Sequence, residues 1–310
     1  MIQCKKGKIM KIVFFDTCET TREYFKDKCF GGAEAVFITE SAAECTDDIF
    51  DADIISGITH RSLTAETLSK FPNLKLIATR SQGVNHIDME HCAARGIAVK
   101  NTAGYGSIAV AEFAVALLMN VARRIIPAAR DMKSGPIDFN NYIGTDICGK
   151  TVGVIGTGAI GSHFAKLMAA FGAKVIAYDL FPNGDFDYVS MDEIYARADI
   201  IAPFIPATPE NYHIIDPVRM KQGAIFINVA RGELVCARKL YDALTSGKIF
   251  AAGLDVLEEE GDLYIGTAPI TEYNKKLMML DNVIVTPHIA FNSREANLRV
   301  MEMTWENIVG

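Results

Sequence analysis

Arg231, Glu260 and His288 have side chains suited to holding an anion and moving a proton. Each stands just past a β-branched apolar run. Arg231 follows 224–230, Glu260 lies five residues beyond Asp255 at the end of 250–255, and His288 follows 282–287. A histidine gives or takes a proton near neutral pH, and a carboxylate beside it favours the charged imidazolium. An arginine offers a permanent charge and a planar fork of donors that matches a carboxylate. Taken singly, each has a plainer reading. Arg231 would serve in a surface ion pair, Glu260 belongs to the acidic run 258–260, and a lone histidine such as His288 is often structural. Their joint placement at strand ends is what calls for chemistry.

The elements that must hold them alternate along the chain. Runs 11–16, 34–38, 53–57, 74–80 and 98–100 read as strands, with helices over 19–28, 42–50 and 64–70. A long helix is expected from Ser107, as its N-cap, to about Met132, followed by an irregular polar stretch over 138–150. A second series of strands then occupies 151–156, 174–179, 199–203, 224–230, 250–255 and 282–287, and a last helix runs over 293–308. Strands alternating with helices mean βαβ units and parallel sheets covered on both faces. In such sheets ligands bind in the crevice outside the strand carboxyl ends.

The second series opens on Gly156-x-Gly158-x-x-Gly161, directly after a strand and at the start of a helix. That context fits a dinucleotide-binding turn: one glycine for the turn, one for close approach to a pyrophosphate, one for helix–strand packing. Ala159 and Ile160 open the helix whose N-terminal amides would face the phosphates. Asp179 ends the next strand, 18 residues after Gly161, where an acid bonds the adenosine ribose. No basic residue follows it in 180–182 to pair a 2′-phosphate, so NAD is expected over NADP. The alternative is a glycine turn followed by a solvated aspartate. Pro206, Ala230 and Asp255, at later strand ends, complete the expected cofactor site. An Arg, a Glu and a His beside a nicotinamide suit hydride transfer coupled to proton transfer at a 2-keto or 2-hydroxy acid.

Composition removes other classes. The chain has 310 residues, half of them hydrophobic and 22% charged, enough for two domains with buried cores. A net charge of −7 disfavours nucleic-acid binding, which needs a basic face. The longest apolar stretch, 108–122, contains Glu112 and is too short for a membrane span. The N-terminal residues show no signal-peptide pattern, and seven scattered cysteines without a C-x-x-C pair read as reduced thiols. The expectation is a cytoplasmic α/β protein. His60, His86, His91, His163 and His213 lack metal-ligand spacing and read as structural or exposed, so no metal is expected. Cys236 lies close in sequence to the site without a sign of reactivity, and Tyr105 and Phe291 are lower-ranked candidates for shaping a side-chain pocket.

The chain resembles the D-isomer-specific 2-hydroxyacid dehydrogenases from about Met10 to its end. The resemblance is carried by the glycine motif with Asp179, by Asn228-Val-Ala-Arg231-Gly232, by Gly253-Leu-Asp255-Val with Glu260, and by Thr286-Pro-His288. Arg80 to Asp88 looks like the family's substrate loop, and Gly104-Tyr105 to Ala111-Glu112 like the entry to its central helix. The resemblance implies two doubly wound parallel-sheet domains with a cleft between them. A flavodoxin-like substrate domain would comprise 1–103 and 290–310, and a Rossmann NAD-binding domain 104–289. It also implies a homodimer built on the coenzyme domain and the Ser107 helix.

Within the family, Ile289-Ala-Phe-Asn after His288, and Gly261 after Glu260, look more like the D-lactate and D-hydroxyisocaproate branch than the glyoxylate or phosphoglycerate branches. Phe204 departs from the histidine that the family commonly has in an H-x-P run. By resemblance, Arg231 would grip the substrate carboxylate and polarise its keto oxygen. Backbone amides around Gln82 and Gly83 would complete that cradle, and Tyr105 would line the substrate. His288 would give the proton, with Glu260 holding its imidazolium. The alternatives are an NAD-sensing protein of the corepressor type, or another 2-hydroxyacid dehydrogenase (of glyoxylate or phosphoglycerate) or a phosphite dehydrogenase on the same fold.

Overall fold

The computed structural model describes residues 9–58, 62–260 and 269–310. Cys4, His60 and Gly261, which figure in the sequence reading, lie outside the described residues. The chain divides into two compact units: residues 1–106 with 293–310, and residues 107–292.

The first unit is built on β1 (Lys11–Phe14), β2 (Glu34–Phe37), β3 (Ile54–Ser56), β4 (Leu76–Ala78) and β5 (Ala98–Lys100). All pair in parallel in the order β2-β1-β3-β4-β5, the flavodoxin-like arrangement. Val13, Phe15, Leu68, Phe71 and Ile77 form its buried core. Helices α1 (Glu19–Phe25), α2 (Ala65–Ser69) and α3 (Met89–Arg95) connect the strands. Asp88 caps α3 by accepting from the His91 amide, and Gly96, at φ 68°, closes it in the left-handed conformation that favours glycine. The expected helix over 42–50 is instead a set of turns with a short 3-10 segment at Asp47–Ile49. There Ser41 bonds Glu44 and Cys45 bonds the Ser41 carbonyl, local bonds that compete with helix formation.

The second unit begins with α4 (Ser107–Arg123) and α5 (Ile125–Asp131). These occupy the span expected to be one helix. Arg124 breaks it with φ 53°, and Pro127 has no amide to donate and would clash with the carbonyl of Arg123 in a continuous helix. Ser107 is the first helical residue rather than the cap. The sheet that follows comprises β6 (Thr151–Ile155), β7 (Lys174–Tyr178), β8 (Asp187–Tyr188), β9 (Ile200–Pro203), β10 (Ala224–Asn228), β11 (Ile249–Leu254) and β12 (Val283–Val285). Its order is β12-β11-β10-β9-β6-β7-β8, all parallel, a Rossmann sheet extended by one strand.

Side chains alternate across the sheet with the period of a strand. Ile225 and Ile227 of β10 join α4 and α6 (Ala159–Ala170) in one core, whereas Ala224 and Phe226 join α7 (Met191–Arg197) and α8 (Ala237–Thr245) in the other. With both faces covered, the loops at the strand carboxyl ends are the part of the sheet free to hold a ligand. Helix α9 (Glu272–Met278) leads to β12. The last helix, α10 (Arg294–Val309), is part of the first unit. Arg299 donates to the Tyr105 carbonyl and Asn307 to the Asn101 carbonyl, while Asn307 accepts from Lys100. No helix among the described residues is long and apolar enough to cross a membrane.

Candidate active site

Because every strand of the second sheet runs the same way, all its carboxyl ends lie along one edge. β6 sits at the point where chain order reverses, with β7 on one side and β9 on the other. Gly156 follows β6 at φ 94°, a conformation that side chains rarely adopt. A Cβ on Gly161 would lie 1.9 Å from the Gly156 carbonyl oxygen, whereas one on Gly158 would meet nothing within 4 Å. The first spacing demands glycine for packing, and the second leaves the backbone open to a ligand. The amides of Ala159, Ile160 and Gly161 precede the first bond of the helix, from Ser162 to the Gly158 carbonyl, and so have no acceptor within it. Phe204 bonds back to the Ile155 carbonyl, and its ring packs 5.0 Å from that of Phe164 in α6. It lies beneath the glycine turn as a packing residue.

Asp179 follows β7. Its carboxylate accepts from the Thr157 amide at 2.6 Å, the Thr157 hydroxyl at 2.9 Å and the Phe181 amide at 2.9 Å. Burial acts to raise its pKa, but these bonds outweigh it and hold the group below its ordinary value. A carboxylate held ionised at this strand end would suit a dinucleotide ribose and would repel a 2′-phosphate.

Strands β10, β11 and β12 are neighbours, and each leads to one member of the Arg–Glu–His set. After β10, buried Asn228 shapes the turn: its side chain accepts from the Ala230 amide and donates to the Arg231 carbonyl at 2.9 Å. The Arg231 guanidinium donates to the Ala230 carbonyl at 2.7 Å, and among the described residues it forms no ion pair. Gly232 comes next. A Cβ there would lie 2.0 Å from the carbonyl of Leu257, so the Arg231 turn lies directly against the turn that carries Glu260.

After β12, His288 has φ 52°, an unfavourable backbone conformation for a residue with a Cβ. Asp255, fully buried at the end of β11, holds it there. The Asp255 carboxylate accepts from the Thr286 hydroxyl at 2.5 Å and from the Ile289 and Ala290 amides at 3.0 and 2.7 Å. Its carbonyl accepts from the His288 amide. Burial pushes the Asp255 carboxyl above its ordinary value against these bonds. His288 Nδ1 lies 2.6 Å from Glu260 Oε1, and the other Glu260 oxygen accepts from the Leu257 amide at 2.8 Å. With Nδ1 donating to the carboxylate, Nε2 is the ring nitrogen left to exchange a proton.

Residues 115–290 match the family model for the NAD-binding domain of D-isomer-specific 2-hydroxyacid dehydrogenases. The chain belongs to this family. It is 38% identical over 256 residues to a hydroxypyruvate reductase from Thermotoga maritima, covering 81% of each chain. It is 36% identical over 283 residues to a glyoxylate reductase from Thermofilum pendens, covering 87% of this chain and 81% of that one. A D-lactate dehydrogenase from Aquifex aeolicus, solved with NAD and lactic acid, superimposes with a TM-score of 0.82 at 33% identity, covering 95% and 93%.

This member of the 2-hydroxyacid dehydrogenases is therefore an NAD-dependent oxidoreductase acting on 2-hydroxy and 2-keto acids. Its residues fit NAD: the open face of Gly158 and the three helix amides suit the pyrophosphate, and Asp179 suits the ribose. Of the other expected cofactor positions, Pro206 is exposed beyond β9 and Ala230 lies in the Arg231 turn. The described bonds of the Asp255 carboxylate all go to the His288 turn, so in this dehydrogenase it orients the histidine.

The expected substrate residues belong to the first unit. The carbonyls of Ser81, Gln82 and Gly83 accept from Thr102, Asn101 and Ser81 respectively. The amides of Gln82 and Gly83 have no acceptor among the described residues. Tyr105 is buried. Arg80, which precedes the loop, is a buried strut whose guanidinium donates to the Phe15 and Asp16 carbonyls; burial lowers its pKa to about 10.

Several supporting residues carried no sequence signal of their own. Asn274 donates to the Glu258 carbonyl at 2.7 Å, and His213 and Tyr212 both contact the Glu258 carboxylate. The run 258–260, which reads as a solvated acidic face, is instead a turn whose first and last side chains are both engaged. His86 contacts Thr79, and His91 contacts Ser69, as structural histidines do.

Proposed function

We propose that the protein catalyses reversible reduction of a small 2-keto acid to a D-2-hydroxy acid in the manner of a D-lactate dehydrogenase. The observation that carries the reading is the 2.6 Å contact between His288 Nδ1 and Glu260 Oε1, which orients the ring and leaves Nε2 for the substrate oxygen. Bound NAD(H) supplies or takes up the hydride. Arg231, with no competing carboxylate among the described residues, would hold the substrate carboxylate through a paired, charge-assisted contact and polarise the keto oxygen. The amides of Gln82 and Gly83 would add two donors to that carboxylate, with Tyr105 beside the substrate side chain. His288 would deliver the proton to the keto oxygen during reduction and remove it during oxidation, while Glu260 stabilises the imidazolium.

The first unit would then be the substrate domain and the second the coenzyme domain. We also propose a homodimer. Large apolar side chains at Ile125, Ile126, Met132, Phe139 and Ile143 are exposed close together in sequence after α4, as an interface segment would require. Light scattering on the purified chain tests this, with a monomer as the result that refutes it.

The likeness to the lactate-bound Aquifex enzyme supports pyruvate as substrate. The likeness to hydroxypyruvate and glyoxylate reductases supports a second reading, in which the side chain is a hydroxymethyl group or hydrogen. NADH oxidation with pyruvate, hydroxypyruvate, glyoxylate, phenylpyruvate and branched 2-keto acids, with chiral analysis of the product, separates the two. Fastest turnover of pyruvate to D-lactate supports the first, and preference for hydroxypyruvate or glyoxylate supports the second. NADH binding with no turnover on any of them would identify a sensor and remove both.

A further inference from the structure

The turn that presents Glu260 to His288 presents Glu258 to another histidine. His213 Nε2 is in hydrogen-bond contact with Glu258 Oε1, and ligand atoms of His213, Cys236 and Glu258 all lie within 4.8 Å of one another. We propose that these three side chains form a binding site for a borderline-soft divalent cation, for which Zn²⁺ is the best match. The three donors come from separate segments of the second unit, which these side chains and their neighbours tie together. His213 is held at φ 55° by its amide bond to the Glu233 carbonyl, and its ring stacks on Tyr212 with centroids 3.9 Å apart. Cys236 is the N-cap of α8 and makes no side-chain cap bond, so its sulfur is not needed to hold the helix. Glu258 is anchored by Asn274 at its carbonyl and by the Ala237 amide at one carboxylate oxygen, 2.7 Å away.

An imidazole nitrogen, a thiolate and a carboxylate together are a zinc donor set, and a poor one for Mg²⁺ or Ca²⁺, which prefer all-oxygen shells. Zinc–ligand bonds of about 2.0–2.3 Å place ligand atoms roughly 3–4 Å apart. The cluster needs one local change to reach that spacing. The cation takes Nε2 of neutral His213, whose one ring proton then sits on Nδ1, which lets the His213–Glu258 pair open; it also displaces the thiol proton of Cys236, which passes to solvent. Tyr212, whose hydroxyl donates to Glu258 Oε1 at 2.9 Å, orients the carboxylate from outside the shell, and water completes the tetrahedron. The spacing 213, 236, 258 gives no sequence signal, because the three positions meet through the fold.

The test needs no turnover and is therefore independent of the proposed dehydrogenase activity. The full chain, stripped with a chelator, is titrated with Zn²⁺ against a chromophoric competitor, and with Co²⁺ while thiolate-to-metal charge-transfer absorption is followed. The expected result is one equivalent bound, with a thiolate–cobalt band. Cys236→Ser should abolish the band, and it and His213→Gln should each weaken Zn²⁺ binding by more than the roughly 10–100-fold typical of losing an outer-shell partner. Circular dichroism of Cys236→Ser checks that the fold persists, and excess Mg²⁺ should not compete. Absence of the cobalt band overturns the proposal, as does unchanged affinity in Cys236→Ser. So does binding lost in His288→Gln but kept in Cys236→Ser, which would place the ion at the other histidine–glutamate pair.

Discussion

Two histidine–glutamate pairs hang from one short turn, and they differ in what the second ring nitrogen and the second carboxylate oxygen are left to do. In the pair His288–Glu260, the carboxylate is tied to its own turn and the imidazole is held from behind by the Asp255 framework. In the pair His213–Glu258, the carboxylate also takes the Tyr212 hydroxyl and the Ala237 amide, joining the helix α8 terminus to the turn. Glu258 pushes the Tyr212 hydroxyl up to about 12, a sign of how completely the local donors are engaged. The proton-transfer role proposed for the first pair contrasts with the second, which fastens three segments together. The lesson is that a histidine beside a carboxylate becomes an acid–base device through the groups behind the pair and the strand end that presents it.

The largest contrast should come from exchanging each histidine for glutamine. His288→Gln should lower kcat by about 10²–10⁴-fold, the usual worth of general acid–base catalysis, while His213→Gln should cost less than about tenfold. Steady-state rates on the best keto acid decide it, and equal losses would show that the pairs do not divide the work in this way. Because the same ring nitrogen would serve both directions, His288→Gln should slow reduction and oxidation alike, and a loss in one direction alone would count against the assignment. Arg231→Lys should raise KM for the keto acid about 10–100-fold, because loss of a charge-assisted bond is worth about 1.5–3 kcal/mol. An unchanged KM would remove Arg231 from the carboxylate.

Glu258→Gln should act on stability instead, lowering it by about 1–3 kcal/mol in denaturant unfolding, since its amide group cannot accept from every donor now facing Glu258. The smallest effects concern pH and two aspartates of opposite sign. Asp179 lies below its ordinary value of 3.8 in the folded protein, so its stabilising contribution is present above that pH and lost as pH falls through the lowered value. Asp255 lies above 3.8, so its contribution is fully present below that pH and lost as pH rises through the raised value. The stability gap between wild type and Asp179→Asn should therefore narrow in acid, and that for Asp255→Asn should move the other way. Parallel curves would contradict both assignments.

Much of this could be read from residues alone. The glycine motif, Asp179 and the strand-end positions of Arg231 and His288 are local patterns, and a strand's apolar run announces where its carboxyl end lies. Two doubly wound sheets follow from the alternation of strands and helices. What escaped the reading depended on contacts between distant segments. The helix over 42–50 failed because side chains there bond locally, and the long helix divides at Arg124 because Pro127 follows. Asp255 reads as a cofactor ligand, but its partners at 286, 289 and 290 become visible once β11 and β12 are side by side. The same holds for Glu258, whose partners at 212, 213 and 237 no spacing rule connects.

The close contact at Gly232 has a practical consequence for redesign. The backbone carrying Arg231 and the backbone carrying Glu260 share one van der Waals boundary, so neither segment can be exchanged as a cassette by itself. A graft of 228–235 from a relative would have to bring its matching 255–260, or the two halves of the chemistry would lose their common frame. On the proposed assignment, substrate range would be altered in the first unit, at the side chains of Gln82 and Tyr105, without changing a residue of that joint.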